Sequence, residues 1–208
     1  MFDSIESAIE DFKNGKFLIV MDDESRENEG DLIIAASAVT TEKMAFLVKH
    51  SSGYVCVPMT GERLDQLGIP MMCKQNEERM RTAYAVTCDY ADGTTTGISA
   101  HDRALTTRQL ANPSVTSPSA FNKPGHVVPL RARTGGVLAR DGHTEASVDL
   151  CRLAGLEPVA AICEIVREDD GLMARTEECV KFSKQWGIKI ISIKQLIDYI
   201  KAHPEALK

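Results

Sequence analysis

Three carboxylates lie close together in the segment Arg26-Glu27-Asn28-Glu29-Gly30-Asp31. If this segment is extended, the alternation of side chains along a strand places Glu27, Glu29 and Asp31 on one face. Carboxylates at such spacing repel one another unless a cation or a proton lies among them. The segment therefore predicts a divalent-cation site, and the alternative is a solvated acidic loop, which is the usual state of a block of charge.

A second segment, Arg140-Asp141-Gly142-His143-Thr144, comes directly before a helical pattern. The free N–H groups at a helix start attract anions, and glycine lets the backbone approach a ligand closely. Arg140 offers a fork of donors that suits phosphate, and Thr144 adds a hydroxyl. His143 can bind a divalent cation together with a carboxylate, and one His with oxygen ligands suits Mg²⁺ or Mn²⁺ better than zinc. The alternative is a helix cap with an ordinary structural histidine.

Four more residues have types and positions that suit chemistry. His126 begins an apolar strand just after a loop, and its imidazole titrates near neutrality. Glu164 stands inside the apolar run 159–166, where it is either a general acid or base tuned by partial burial or an outward residue of an edge strand. Thr96 belongs to a hydroxyl-rich turn that binds sugar hydroxyls or only caps a helix. Cys56 is a core residue of a strand or faces a pocket, where it is open to oxidation.

Composition excludes several classes of protein. The chain has 208 residues and a net charge of −6, which argues against a general nucleic-acid binder. It has neither an apolar run long enough for a membrane helix nor a basic-then-apolar leader, so we expect no membrane partner. Its six cysteines are scattered without a C-x-x-C pair, which predicts reduced thiols in a cytoplasmic protein.

The elements that must position these groups alternate in type. Helices are predicted between Asp3, as the N-cap, and Gly15, and over residues 41–52, 62–67, 99–109, 144–154, 177–186 and 194–202. Strands are predicted over residues 17–21, 32–35, 54–58, 83–88, 126–131, 159–166 and 188–193, with a long loop over 111–124. The pattern predicts one α/β (α+β) domain over residues 1–208, a mixed β-sheet covered by helices on its faces. It does not give the strand order.

Seven motifs of the chain resemble those of one enzyme family, and they occur in order over nearly its whole length. They are Arg26-Glu27-Asn28-Glu29-Gly30-Asp31, Thr96-Gly97-Ile98-Ser99-Ala100 with Asp102-Arg103, Pro124-Gly125-His126, Pro129-Leu130-Arg131-Ala132, Gly135-Gly136-Val137-Leu138, Gly142-His143-Thr144-Glu145-Ala146 and Cys163-Glu164. The family is 3,4-dihydroxy-2-butanone-4-phosphate synthase of riboflavin biosynthesis, and the chain resembles its monofunctional form. It is too short to hold the GTP cyclohydrolase II domain that many homologues carry, and it lacks that domain's clustered cysteines.

The resemblance implies conversion of D-ribulose 5-phosphate to L-3,4-dihydroxy-2-butanone 4-phosphate and formate. The reaction would proceed by Mg²⁺-dependent enediolate formation, dehydration and rearrangement of the carbon skeleton. The cofactor would be Mg²⁺ (or Mn²⁺), with two ions per site, held by Glu27 and His143. The enzyme would be a homodimer with its sites near the subunit interface.

The resemblance also assigns roles to individual residues. The catalytic groups would be His126, Glu164, Asp31 and Glu29. The substrate contacts would be Arg26, Glu27, Asp31, Thr96, Arg140, Asp141, Gly142, His143, Thr144 and Glu164.

Two other classes of protein fit part of the pattern. A metal-dependent sugar-phosphate hydrolase would also need clustered carboxylates, a histidine and an anion-binding helix start, but it would release inorganic phosphate. A non-catalytic binding protein of the same fold would be expected to have lost Glu27, His126, His143 or Glu164, and all four are present.

Overall fold

The structure is a computed structural model that describes residues 2–207. Its helices are α1 (Ile5–Lys13), α2 (Thr41–Lys49), α3 (Gly61–Gln66), α4 (Ala100–Leu110), α5 (His143–Leu153), α6 (Thr176–Trp186) and α7 (Ile193–Ala202). Its strands are β1 (Leu18–Met21), β2 (Gly30–Ala35), β3 (Cys56–Met59), β4 (Cys88–Tyr90), β5 (Phe121–Arg131), β6 (Ala160–Glu164) and β7 (Lys189–Ser192). Short 3-10 helices occupy Ala36–Ala38, Pro118–Ala120, Gly136–Leu138 and Pro204–Leu207.

The strands form one mixed seven-stranded sheet in the order β4-β5-β3-β6-β2-β1-β7. β1 pairs with β7 and β3 pairs with β5 in parallel, whereas the other pairs are antiparallel. The predicted fold class, a mixed sheet with helices on its faces, is confirmed. Within residues 2–207, no helix is both long enough and apolar enough to cross a bilayer.

Alternate residues of the central strands supply the two faces of this sheet. In β1, Ile19 and Met21 pack into a core under α2, α3, α4 and α6, whereas Leu18 and Val20 pack into a second core under α1, α5 and α7. All four residues of β1 are buried, as expected for an inner strand covered on both faces. In the helices, too, the spacing of the apolar residues determines the buried face. In α1, Ile5, Ala8 and Phe12 recur at helical spacing and are buried.

Several predicted boundaries differ from the structure, and three of them have a local reason. Ser4, not Asp3, caps α1: its side chain accepts a hydrogen bond from the Ser7 amide, while Asp3 accepts one from Ile190 on β7. Of the predicted strand 83–88, only Cys88 belongs to a strand, β4, while Tyr84 and Ala85 form isolated bridges with Leu130 and Met71.

The third wrong boundary is that of the long loop, which ends at Ala120, four residues before Pro124. β5 begins at Phe121 and carries Pro124 within it, because this stretch lies beside β4, and β4 itself lies at the edge of the sheet. A proline lacks an N–H group and is tolerated at a bulge, and Pro124 lies in the register irregularity between the paired residues Asn122 and Val127.

Candidate active site

One cavity collects most of the residues that the sequence singles out. It lies where β2 begins and β6 ends, beside the β1–β2 loop and the start of α5. Its lining consists of Arg26, Glu27, Glu29, Asp31, Cys56, Thr82, Tyr84, Leu130, Arg140, His143, Thr144, Ile162 and Glu164.

The acidic segment is not extended throughout. Residues 24–27 form a turn, and Asn28 has a φ of 53°, so strand geometry begins only at Gly30. Simple alternation therefore does not explain why Glu27 lies beside Glu29 and Asp31. All three carboxylates nevertheless line the cavity, because the turn folds Glu27 back towards the start of β2.

Asp22 shapes this turn, and sequence reasoning missed it. Its buried carboxylate accepts hydrogen bonds from the Glu29 amide at 2.8 Å, the Glu27 amide at 3.1 Å and the Arg26 guanidinium at 2.8 Å. A buried carboxylate is stable when amides and a guanidinium satisfy it in this way. The available signal was an aspartate directly after the apolar run of β1, a position where side chains cap loops.

Arg175, at the N-terminus of α6, holds the same turn from outside. Its Nη1 donates to the carbonyl oxygen of Glu27 at 2.6 Å and to that of Asn28 at 2.8 Å. Its guanidinium also lies 3.7 Å from the Glu29 carboxylate. Sequence reasoning gave no role to Arg175, since the 147 residues that separate it from Asn28 leave no local signal.

Asp31 and Glu164 face each other on neighbouring antiparallel strands, β2 and β6. Burial holds the pKa of the Asp31 carboxyl well above its usual range, and the Glu164 carboxylate raises it further. Asp31 Oδ1 is buried without a hydrogen-bond partner in the described residues. Such an oxygen is costly in isolation, so it is suited to a proton or to a ligand that enters the cavity. Burial also raises the pKa of Glu29, followed by the effect of Glu27.

His143 is the first residue of α5 and is buried. Its Nε2 lies 3.0 Å from the Val20 carbonyl oxygen, which can only accept, so Nε2 carries the proton. Burial lowers the pKa of the ring and so favours its neutral form. The lone pair is then on Nδ1, which lies 3.7 Å from Asp31 Oδ1.

Asp22, Glu27 and His143 each place a possible ligand atom within 4.8 Å of the others. A metal-binding histidine commonly donates its second N–H to a backbone carbonyl, as His143 does to Val20. Since the Asp22 oxygens already accept three hydrogen bonds, Glu27 and His143 are the better ligands of the three. The donor set, oxygen with one nitrogen, fits Mg²⁺ or Mn²⁺.

Two guanidinium groups converge on the start of α5. A Cβ atom on Gly142 would lie 2.2 Å from Arg140 Nη1 and 3.1 Å from Arg26 Nη2, so only glycine leaves room for both. Arg140 donates to Glu145 at 2.6 Å and to Thr82 Oγ1 at 3.1 Å. Positive side chains beside free helix N–H groups make a site for an anion.

Four predicted residues do not line this cavity: His126, Thr96, Asp141 and Gly142. His126 Nδ1 lies 2.7 Å from Asp89 Oδ2, and its amide donates to Asp89 Oδ1 at 2.8 Å. A register shift between Cys88 and Asp89 places the aspartate there, which sequence reasoning did not anticipate. Thr96 is exposed beside Gly97, whose missing Cβ would meet both Asp89 and His126. Asp141 is exposed just before α5.

Comparison with known proteins decides the family. The sequence profile of the 3,4-dihydroxy-2-butanone 4-phosphate synthase family matches residues 6–199. The chain belongs to the 3,4-dihydroxy-2-butanone 4-phosphate synthase family. A synthase of this name from Schizosaccharomyces pombe is 76% identical over 201 residues, which cover 97% of this chain and 98% of that protein. The chain is therefore an enzyme of this family, which acts in riboflavin biosynthesis.

Solved structures of the synthase family share the fold. The crystal structure of the Candida albicans synthase is 61% identical, with a TM-score of 0.89 over 96% of this chain and 98% of that one. Another synthase, determined in complex with two magnesium ions, is 52% identical, with a TM-score of 0.93 over 98% of this chain and 99% of that one.

Proposed function

We propose that this chain converts D-ribulose 5-phosphate to L-3,4-dihydroxy-2-butanone 4-phosphate and formate in a Mg²⁺-dependent reaction. The observation that carries the proposal is one cavity that joins four carboxylates, a buried neutral histidine and a cationic helix start. These groups supply the three things that the reaction needs: a metal site, proton acceptors and a phosphate site. The carboxylates are those of Glu27, Glu29, Asp31 and Glu164.

The phosphate of the substrate would bind at the start of α5. Arg140 and Arg26 approach the Gly142 backbone, and the Thr144 hydroxyl lines the same cavity. A phosphate there would accept charge-assisted hydrogen bonds from the guanidinium groups and from helix N–H groups. Asp141, which is exposed and does not line the cavity, would remain in solvent and away from the phosphate charge.

Glu27 and His143 would hold the metal. Because burial favours neutral His143 and Nε2 is committed to Val20, Nδ1 is ready to bind a cation without first losing a proton. When bound, Mg²⁺ supplies Lewis-acid stabilisation of the negative charge that develops on the substrate oxygens. A related synthase binds two magnesium ions, and we infer the same number here.

Asp31 and Glu164 would move protons. The reaction removes a proton beside a carbonyl, expels water and rearranges the carbon skeleton, so it needs more than one acid or base. Burial raises the pKa of Asp31, and its Oδ1 has no hydrogen-bond partner among the described residues, which suits a group that takes up a proton. Glu164, opposite it on β6, is placed to serve a different oxygen or carbon of the same substrate. Glu29 would support them through the local charge.

His126 and Thr96 would act in the cavity of a second copy of the chain. They lie outside the cavity of their own copy, yet the fold holds His126 firmly through Asp89. Exposed apolar side chains lie both near the cavity and near Thr96. The ring of Tyr54, 49% exposed, has its centroid 6.5 Å from that of the cavity residue Tyr84, and Ile98, 53% exposed, is two residues from Thr96. A twofold dimer that joins these surfaces would complete two identical sites, each built from residues of both chains. Each chain would itself fold as one domain.

Formate release tests the reaction. Purified protein with D-ribulose 5-phosphate and Mg²⁺ should release formate, a chelator should stop the release, and added Mg²⁺ or Mn²⁺ should restore it. Release of inorganic phosphate instead would identify the protein as a sugar-phosphate hydrolase. A folded protein that releases neither product would contradict the proposal.

Mixing two inactive variants tests the shared site. Glu27→Gln and His126→Ala damage the same site from opposite chains, so a mixed dimer keeps one intact site. Denaturing and refolding the two variants together should restore about one quarter of the wild-type activity, because half the dimers are mixed and each has one intact site of two. If both residues came from one chain, mixing would restore nothing.

A further inference from the structure

Glu164 has one direct hydrogen-bond donor for its carboxylate within residues 2–207, and that donor is Ser52. Ser52 Oγ donates to Glu164 Oε2 at 2.8 Å. The Ser52 amide also donates to the Glu164 carbonyl oxygen at 2.7 Å. Ser52 therefore holds the backbone and the side chain of the same residue, which fixes the carboxylate relative to the end of β6.

The surroundings of Ser52 direct its single hydroxyl proton towards Glu164. The Tyr54 amide donates to Ser52 Oγ at 3.2 Å, and Cys163 Sγ lies 3.3 Å from the same oxygen. Burial raises the pKa of the Cys163 thiol to about 11, so the sulfur keeps its proton and can donate. With donors on its other side, the serine hydroxyl is left to donate to the one acceptor it faces, the carboxylate.

The turn that carries Ser52, between α2 and β3, is itself firmly built. Gly53 has a φ of 72°, a conformation that glycine adopts without strain, and its amide donates to Ser51 Oγ at 3.3 Å. Its carbonyl oxygen accepts a hydrogen bond from Arg103 Nη1 at 3.0 Å. Arg103 is buried on α4 and has no carboxylate partner in the described part of the chain. Its hydrogen-bond acceptor is therefore the Gly53 carbonyl oxygen.

We propose that Ser52 is a positioning residue for catalysis, which orients the Glu164 carboxylate towards the substrate by a hydrogen bond to Oε2. The inference rests on the proposed function, in which Glu164 transfers a proton. Ser52 does not line the cavity and acts only through Glu164. The hydrogen bond uses Oε2 and leaves Oε1 without a direct donor from residues 2–207, so Oε1 is the oxygen free to meet the substrate.

Kinetics of three variants test this role. Ser52→Ala should lower kcat for formate release by roughly ten- to a hundredfold, since a misplaced catalytic group costs this much. The KM and the Mg²⁺ affinity should stay unchanged, because the phosphate and metal sites lie elsewhere in the cavity. Ser52→Thr keeps a hydroxyl and should retain most of the activity. Equal kcat for Ser52→Ala and wild type would overturn the proposal, and so would an equal loss in Ser52→Thr and Ser52→Ala.

Ser51→Ala is the matched control for the turn. The Ser51 hydroxyl donates to Leu47 and accepts from Gly53 but does not touch Glu164. Ser51→Ala should therefore lower the Tm but reduce kcat much less than Ser52→Ala does. If Ser51→Ala reduced kcat as much as Ser52→Ala, Ser52 would be a turn former only. Wild-type formate release in the same assay separates a failure of this inference from a failure of the proposed function.

A crystal structure of Ser52→Ala tests the inference without any activity. The Glu164 carboxylate should leave its wild-type rotamer or occupy more than one. A single, unmoved Glu164 carboxylate would overturn the positioning role, whatever reaction the enzyme performs.

Discussion

Glu27 and His126 divide the work of the proposed site between metal binding and turnover. Glu27→Gln should abolish activity mainly because the metal is lost, whereas His126→Ala should slow turnover with metal binding largely intact. Titration calorimetry with Mg²⁺ or Mn²⁺ and formate release measure the two effects separately. Normal metal affinity in both variants would contradict the division.

The cysteines of the chain should differ sharply in reactivity. Burial raises the pKa of the Cys56 thiol well above its usual range, with Glu164 as the next cause, and the residue is only 3% exposed. Because the thiolate is the reactive form, Cys56 should resist alkylation at neutral pH and react only in more alkaline solution. Cys73 is an exposed free thiol and should be labelled first.

Timed labelling with iodoacetamide and peptide mass spectrometry checks this order, and Cys73→Ser should remove the fast phase. Rapid modification of Cys56 at neutral pH would support the sequence-based hypothesis that it is open to oxidation.

The sequence predicts those site residues whose type alone reveals their chemistry. Glu27 and His143 were assigned from their motifs, and the structure brings them together. Asp22 and Asp89 were missed because each acts through a local irregularity, a turn in one case and a strand bulge in the other. Neither irregularity has a periodic signature in the sequence.

At the scale of elements, the segment that leads into α5 depends on a close approach between Gly136 and Asp149. Gly136 has a φ of 59°, and a Cβ there would lie 2.0 Å from Asp149 Oδ2. That oxygen accepts a hydrogen bond from the Val137 amide at 2.8 Å. Gly136→Ala should therefore destabilise the protein by at least about 2 kcal/mol, because it combines backbone strain with the loss of a buried hydrogen bond.

Gly155 is the matched control for this prediction. It has a similar φ of 69°, but nothing lies within 4 Å of a Cβ placed there. Gly155→Ala should cost only the backbone strain, about 1 kcal/mol. Urea unfolding monitored by circular dichroism measures both values, and equal losses would show that the close approach is unimportant.

Element types were predicted better than element ends. The helices and the inner strands follow apolar periodicity, as in α1 and β6, so their existence is readable from sequence. β4 and the first half of β5 are set by their pairing with each other at the edge of the sheet, and the run from Asn122 to Gly125 contains no strand pattern of its own.

At the scale of the whole molecule, the dimer should control activity. Ile98→Asp places a charge on an apolar residue that is 53% exposed beside Thr96. The variant should be monomeric and folded, with activity reduced by more than about tenfold, because a charge buried in an interface without a partner is costly. Light scattering and formate release measure the two properties.

Lys201→Gln is the control for charge, since it changes the net charge by the same amount at an exposed position of α7. It should remain dimeric and active. A dimeric, fully active Ile98→Asp variant would place the subunit interface elsewhere.

The strand order could not be predicted because it depends on contacts between distant parts of the chain. β6 is inserted between β3 and β2, and β7 adds to the edge beside β1. Each of these strands has buried apolar residues, so hydrophobicity does not tell one neighbour from another.

This strand order has a consequence for synthesis on the ribosome. β1 and β2, which frame the acidic turn, leave the ribosome before the other strands, but their other neighbours in the sheet, β7 and β6, leave it last. Two inner apolar strands must therefore wait with unpaired edges while nearly the whole chain is made, a state that favours aggregation. The nascent chain should thus depend on chaperone protection until residues 160–192 emerge, and only then can the cavity form.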